Sequence, residues 1–424
     1  MPGFSFVHAA DLHLDSPLRG LEDYAGAPVE RLRGATREAI ANLVSLCLDE
    51  SVAFLVIAGD LFDYDWKDFQ TALFVVQQFQ RLERAGIPVF LIFGNHDARE
   101  DMSRRVPWPK NVEVFDHKRP ETKLLASHGV ALHGMSFPKR EVTKNLVPDY
   151  PAPVAGMFNI GLLHTNANGS RDHDAYAPCS VAELATKGYD YWALGHVHTF
   201  EVLHEQPHVV YSGNIQGRNV REIGEKGCVL VRVEDHEIAH LDFRETDVLR
   251  WSREVVTLQE NDGSDEMLDR ARSALRSVVE SADGRLTAVR LVIEGRCAAH
   301  RSLVRDGDRQ QAITDLRALA GEFGDDVWIE KIKFRTQSPL DLAGLRQGHD
   351  LVGELLREID AVASDSERLS AMTELLKPLS LKVAGELADQ TGGESIDFQD
   401  PDLLAGWLRE AEAVLLSHLV EEPA

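Results

Sequence analysis

Five short stretches carry side chains that can do chemistry: Asp11-Leu12-His13, Gly59-Asp60-Leu61-Phe62-Asp63, Gly94-Asn95-His96-Asp97, His164-Thr165-Asn166 and Gly195-His196-Val197-His198. Each follows an apolar run. Carboxylate, imidazole and amide oxygen are ligands that Mn²⁺, Fe²⁺ or Zn²⁺ accept, and no thiolate is among them. Seven or eight such groups are too many for one ion. They suit two ions sharing a carboxylate, roughly 3.5–4 Å apart. Such a pair polarises a phosphoryl oxygen, acidifies a water and steadies both oxygens of an in-line displacement. Residues two apart on an extended chain share a face, so His196 and His198 read as a pair on one ion. One histidine of this kind is more often a satisfied core residue, and one aspartate after glycine is more often a turn residue. Five strand ends in a row with this choice of side chain need another explanation.

The elements that must position these groups are legible. Phe4–Ala10, Val52–Ala58, Val89–Phe93, Met157–Leu163 and Tyr189–Leu194 are apolar runs typical of strands covered on both faces. Between the first three, Glu30–Glu50 and Trp66–Ala85 show helical spacing, with Ile40, Leu43, Val44, Leu46 and Cys47 on one side of the first. The alternation predicts an α/β core of two sheets packed face to face with helices outside. Further short strands are expected at Asn111–Phe115, Gly129–Met135, Val209–Asn214, Lys226–Val233 and Glu237–Phe243. Near Arg250 the pattern changes to β-α-β-α-β over Glu254–Phe334, a small α+β domain with no catalytic cluster. From Leu340 the chain reads as helical and acidic, broken at Pro378 and at Thr391-Gly392-Gly393. The expected domains are 1–245, 250–336 and 340–424, consistent with about 150 residues per domain in a chain of 424.

The four cysteines, Cys47, Cys179, Cys228 and Cys297, form no CxxC pair, which argues against a thiolate zinc site and a disulfide framework. No secretory signal and no bilayer-spanning run is visible, so the expectation is a soluble cytoplasmic protein. The net charge of −24 repels nucleic acid at long range. That charge is uneven. Residues 341–424 hold 18 acidic and 6 basic residues, half of the total, whereas 99–144 hold 10 basic and 6 acidic residues. The basic stretch is either an ordinary solvated face or a landing surface for phosphates.

Asp11-x-His13, Gly59-Asp60-x-x-Asp63, Gly94-Asn95-His96-Asp97, His164 and Gly195-His196-x-His198 resemble, in order, the motif set of the calcineurin-like metallophosphoesterases. Within them the chain is similar to SbcD-type DNA repair exonucleases, and most of all to the YhaO-like branch. Ala9–Leu18, Tyr176-Ala177-Pro178, Asp190–His198 and Tyr211-Ser212-Gly213-Asn214 carry that second likeness. The resemblance implies a layered α/β metallophosphoesterase core with a small α+β capping domain and a helical C-terminal region. It implies two divalent ions, Mn²⁺ first, with Fe²⁺ or Zn²⁺ as alternatives. Asp11, His13 and His198 would hold one ion, Asn95, His164 and His196 the other, and Asp60 would bridge. This splits the histidine pair between two ions. His96 would protonate the leaving oxygen while a bridging hydroxide attacks, and Asp63 would orient His96.

The same resemblance leaves the substrate open among DNA, nucleotides and small esters. Serine/threonine phosphatases of the superfamily carry an arginine after the second aspartate and another before Asn-His; here Tyr64-Asp65 and Phe93-Gly94 stand there. The capping segment is similar to the one that guides DNA in SbcD-type nucleases. DNA contacts are expected from Arg99, Arg104, Arg105, Lys139, Arg140, Arg218 and Arg221. The resemblance also implies an SMC-like coiled-coil ATPase docking on apolar stripes at Leu351, Leu355, Leu356, Ile359 and at Leu403, Leu404, Trp407, Leu408. Those stripes read equally well as packing onto the protein's own body. Self-association into a homodimer, exo- or endonuclease polarity and strand preference stay open.

Overall fold

The computed structural model describes residues 3–16, 26–63, 69–97, 106–167, 176–372, 376 and 400–420. It divides into two compact units. One comprises residues 1–253, 278–290 and 325–330; the other comprises 254–277, 291–324 and 331–424.

The first unit begins β1 (Phe4–Ala9), α1 (Val29–Asp49), β2 (Phe54–Ala58), α2 (Phe69–Arg84) and β3 (Val89–Ile92). There follow β4 (Val112–Val114), β5 (Glu121–Leu125), β6 (Val130–Gly134), β7 (Phe158–His164), α3 (Val181–Thr186) and β8 (Tyr191–Gly195). It continues with β9 (Glu201–Glu205), β10 (His208–Tyr211), β11 (Gly227–Glu234) and β12 (Glu237–Glu245). One six-stranded sheet has the order β12-β11-β1-β2-β3-β4, and the other has the order β5-β6-β7-β8-β10-β9. β1 to β4 pair in parallel, as do β6, β7, β8 and β10.

Alternation along each strand sorts the core into layers. Val7, Ala9, Leu55, Ile57, Val89 and Leu91 face one way, onto Ile40, Leu43 and Val44 of α1 and Val75 and Phe79 of α2. Phe6, Phe54, Val56, Phe90 and Ile92 face the other way and meet Leu132, Ile160, Leu162, Tyr191 and Ala193 of the second sheet. Sheet on sheet, with helices outside the first, is the architecture the alternating pattern predicts. The far side of the second sheet is covered by α3 and the 135–150 segment, through Trp192, Leu194, Met135 and Tyr150. Parallel strands end at the same edge, so five carboxyl-terminal ends deliver their polar residues to one place.

The remaining strands β13 (Leu249–Thr257), β14 (Leu286–Arg296) and β15 (Val327–Gln337) form a third sheet and contribute to both units. The second unit also holds much of α4 (Ser264–Ser281), with α5 (His300–Leu303) and α6 (Asp306–Ala320). Its last helices are α7 (Leu342–Gln347), α8 (Leu351–Ala363) and α9 (Pro401–Leu419). Arg346 joins them, bonding Asp360 at 2.7 Å and Glu412 at 3.1 Å. Leu356 and Leu404, one from each apolar stripe, are buried. The stripes thus pack at least partly within the chain. Leu351 stays 73% exposed. The expected breaks at Pro378 and 391–393, and the start of the second helix at Trp66, lie outside the described residues. No helix among the described residues is long and apolar enough to cross a membrane.

Candidate metal centre

The loops after β1 and β2 run side by side. Asp11 donates its backbone N–H to Gly59 O (3.0 Å), His13 to Asp60 O (3.0 Å) and Leu14 to Leu61 O (3.1 Å). Asp97 ties in the loop after β3, accepting from the N–H groups of Leu61, Phe62 and Gly94. Burial, with the Asp60 carboxylate close by, pushes Asp97 up to about 7. Asp60 itself accepts the His96 N–H at 2.9 Å. From the second sheet, the His196 N–H reaches the Asp11 carboxylate at 2.9 Å. Asp11, His13, Asp60 and His196 all have positive φ, +52°, +42°, +52° and +102°. Such backbone costs on the order of 1 kcal/mol or more per residue and gathers where function demands a side-chain direction.

Five expected ligands converge. Ligand atoms of Asp11, His13 and His198 lie within 4.8 Å of one another, and so do those of Asp11, Asp60 and His164. Asn95 Oδ1 is 2.9 Å from His164 Nε2, and the His164 and His196 rings are 5.3 Å apart. A third cluster joins His13, Asp60 and His96, so His96 stands beside the ligands. Its Nδ1 is held at 2.8 Å by Asp63, whose other oxygen accepts from Ser16 Oγ at 2.6 Å.

Tautomers follow from the partners. His164 Nδ1 must donate to the Ala58 carbonyl at 3.0 Å, so a neutral His164 has only a lone pair at Nε2. That lone pair faces the Asp60 carboxylate at 3.3 Å. Positive charge is called for at this spot. Burial opposes it, Asp60 outweighs burial, and His164 is pushed up to about 9. Asp60 is correspondingly held well below the usual carboxylate range against the cost of burial. Likewise, His198 Nδ1 donates to Glu222 at 2.9 Å, leaving Nε2 to face His13 Nε2 at 3.2 Å. Burial, then the positive charge of Arg218, holds His13 well below the usual histidine range, and its buried Nδ1 makes no hydrogen bond among the described residues. Buried carboxylates facing imidazoles need positive charge between them, which a proton on His164 or bound cations can supply. The donor set fits two divalent ions of the oxygen- and nitrogen-loving kind.

Glu222 and the role of Arg218 are absent from the sequence reading. Glu222 binds His198, Arg218 (2.6 Å) and the Asn214 amide (3.0 Å). Arg218 also lies 3.6 Å from Asp63. Its charge is therefore matched inside the site by two carboxylates, Glu222 and Asp63. Lys139, Arg140 and Arg221 are exposed. Arg99, Arg104 and Arg105 lie outside the described residues.

The profile of calcineurin-like phosphoesterases matches residues 4–200, and that of the metallophosphoesterase YhaO middle domain matches 251–337. "Uncharacterized metallophosphoesterase YhaO" of Bacillus subtilis (strain 168) is 33% identical over 366 residues, which are 84% of this chain and 87% of that one. The chain belongs to the YhaO-like calcineurin-type metallophosphoesterases. More distant is "DNA double-strand break repair protein Mre11" of Methanopyrus kandleri, 26% identical over 359 residues, 74% of this chain and 75% of the relative. Its namesake in Sulfurisphaera tokodaii is 23% identical over 233 residues, 52% of this chain and 55% of that one. A solved structure, TT1561 of Thermus thermophilus, overlaps 56% of this chain and 98% of its own at 15% identity and a TM-score of 0.33, too loosely to carry an argument. Family membership makes this a hydrolase built for a dinuclear divalent-metal site, and the clusters above are where this chain can hold one.

Proposed function

We propose that the protein hydrolyses phosphodiester bonds of DNA strands, with Mn²⁺ as its ion. The observation that carries this is the Asp63–His96 pair standing beside the metal cluster. The likeness to Mre11 proteins supports DNA as substrate. In this reading Asp11, His13 and His198 would hold one ion, Asn95, His164 and His196 would hold the other, and Asp60 would serve both. When bound, the ions supply charge to the phosphoryl oxygen and lower the pKa of water. The chain does the rest. Asp63 accepts a hydrogen bond from His96 Nδ1–H and fixes the ring, so that the doubly protonated imidazolium would give its Nε2 proton to the leaving oxygen and be left neutral. The Asp11 carboxylate and the His196 N–H keep the two sheets' strand ends in register.

A linear single-stranded oligonucleotide, bis-p-nitrophenyl phosphate and cyclic nucleotides, each tested across Mn²⁺ concentrations, decide the substrate. DNA cleavage is expected. If only the small esters turn over at every Mn²⁺ level, the chain is a small-molecule or nucleotide phosphodiesterase instead. His96→Asn should lower turnover about 10²–10⁴-fold while two metals per chain remain by elemental analysis. Near-normal turnover would reject the proton-donor role.

A further inference from the structure

A cleft of about 560 Å³ has walls that include Lys118, Arg119, Lys139, Lys144 and Asp149. On a molecule of net charge −24 this grouping stands out. Lys144 is matched by Asp149 at 2.5 Å. Lys118, Arg119 and Lys139 are exposed and make no ion pair among the described residues. With Lys144 met by Asp149, the other three leave the cleft predominantly positive, and such a cleft concentrates anions. The floor is apolar, formed by Met135, Val142 and Leu146. Cationic walls match the phosphates of a strand, and the apolar floor offers a surface for a base.

One ordered segment joins this cleft to the metal centre. Met135 and Pro138 line the cleft. Between them, the Phe137 ring meets His164 edge-on at 5.6 Å. The Phe137 N–H donates to Phe93 O at 2.9 Å, directly before Gly94-Asn95-His96. Ser136 Oγ accepts from the Phe93 N–H at 3.0 Å and donates to Phe115 O at 2.7 Å. The cleft wall and the ligand loop are therefore fixed to each other.

We infer that this cleft holds the substrate strand beyond the scissile bond: a single nucleic-acid strand with its phosphates on Lys118, Arg119 and Lys139 and a base against the Met135–Val142–Leu146 floor. The inference rests on the phosphodiesterase reading and names the part of the substrate that a small ester lacks.

The test is the triple variant Lys118→Ala, Arg119→Ala, Lys139→Ala in the full chain. Its KM for a single-stranded oligonucleotide should rise tenfold or more, and the slope of log affinity against log salt should become shallower by about 2. Its kinetics on bis-p-nitrophenyl phosphate should stay unchanged, because the cleft is not part of the catalytic cluster. An unchanged oligonucleotide KM and salt slope would overturn the inference. Anisotropy of a labelled oligonucleotide, measured with Ca²⁺ in place of Mn²⁺, keeps the two readings apart. If the wild type cleaves nothing, the phosphodiesterase reading fails. The cleft assignment then stands on lost binding in the triple variant and falls if binding is the same.

Discussion

His198 gives its Nδ1 proton to Glu222, and Glu222 is in turn gripped by Arg218 and Asn214. A carboxylate behind a histidine fixes both tautomer and ring angle, and losing it typically costs roughly 10–100-fold in metal affinity. Glu222→Ala should weaken Mn²⁺ binding by that factor in a calorimetric titration of the metal-free protein. Unchanged affinity would remove Glu222 from the metal centre's support. His8 makes a different case. It is buried between the sheets, with Nδ1 on Tyr191 Oη at 3.0 Å and Nε2 on Leu194 O at 3.2 Å. Burial lowers it from 6.5 to about 3. As pH falls below 6.5 the unfolded chain takes up this proton first, so stability is full above 6.5 and is lost between 6.5 and 3. The limit is roughly 5 kcal/mol at about 1.36 kcal/mol per pH unit. Urea titrations over that range should show a flatter acid limb in His8→Asn than in the wild type. Neither Glu222 nor His8 was legible in the sequence. Asp11, His13 and Asn95 declare themselves by ending apolar strands in ligand-type residues. Glu222 supports His198 from 24 positions away, and His8 meets partners 183 or more positions away.

At the scale of elements, the buried parallel strands were readable because both faces are covered, which leaves continuous apolar runs. The edge strands β5 and β9 were not. Glu201–Glu205 is largely exposed and Glu121–Leu125 is nowhere fully buried, so neither carries an apolar signal. The glycine that ends β8 marks a close approach between the two sheets. A Cβ on Gly195 would sit 2.1 Å from Ala58 O and 2.9 Å from His164 Nδ1. Gly195→Ala must part the two sheets where the histidines face the carboxylates. A loss of about 1–3 kcal/mol is expected in denaturant unfolding, together with weaker metal binding. A variant with wild-type stability and full metal content would show that the two strand ends are not held that tightly.

For the whole molecule, the buried carboxylates make stability depend on the ions. Mn²⁺ at about a hundred times its dissociation constant should stabilise the fold by about 2.7 kcal/mol, visible as a rise in Tm that a chelator reverses. A Tm indifferent to Mn²⁺ would mean that the cluster holds no ion in the native state. The acidic residues 341–424 account for half of the charge and belong to the other unit, away from the ligand loops in sequence. That separation leaves the basic cleft on the unit that carries the metal cluster.

The bond from the His196 N–H to the Asp11 carboxylate joins residues 185 positions apart. On a ribosome adding about 5–20 residues per second, Asp11 waits roughly 10–40 s for its partner. During that interval His196 and His198 have not yet been made, so the ligand set is incomplete. Correct loading therefore has to follow the docking of the second sheet, and a chain halted before Gly195 can never close its metal centre.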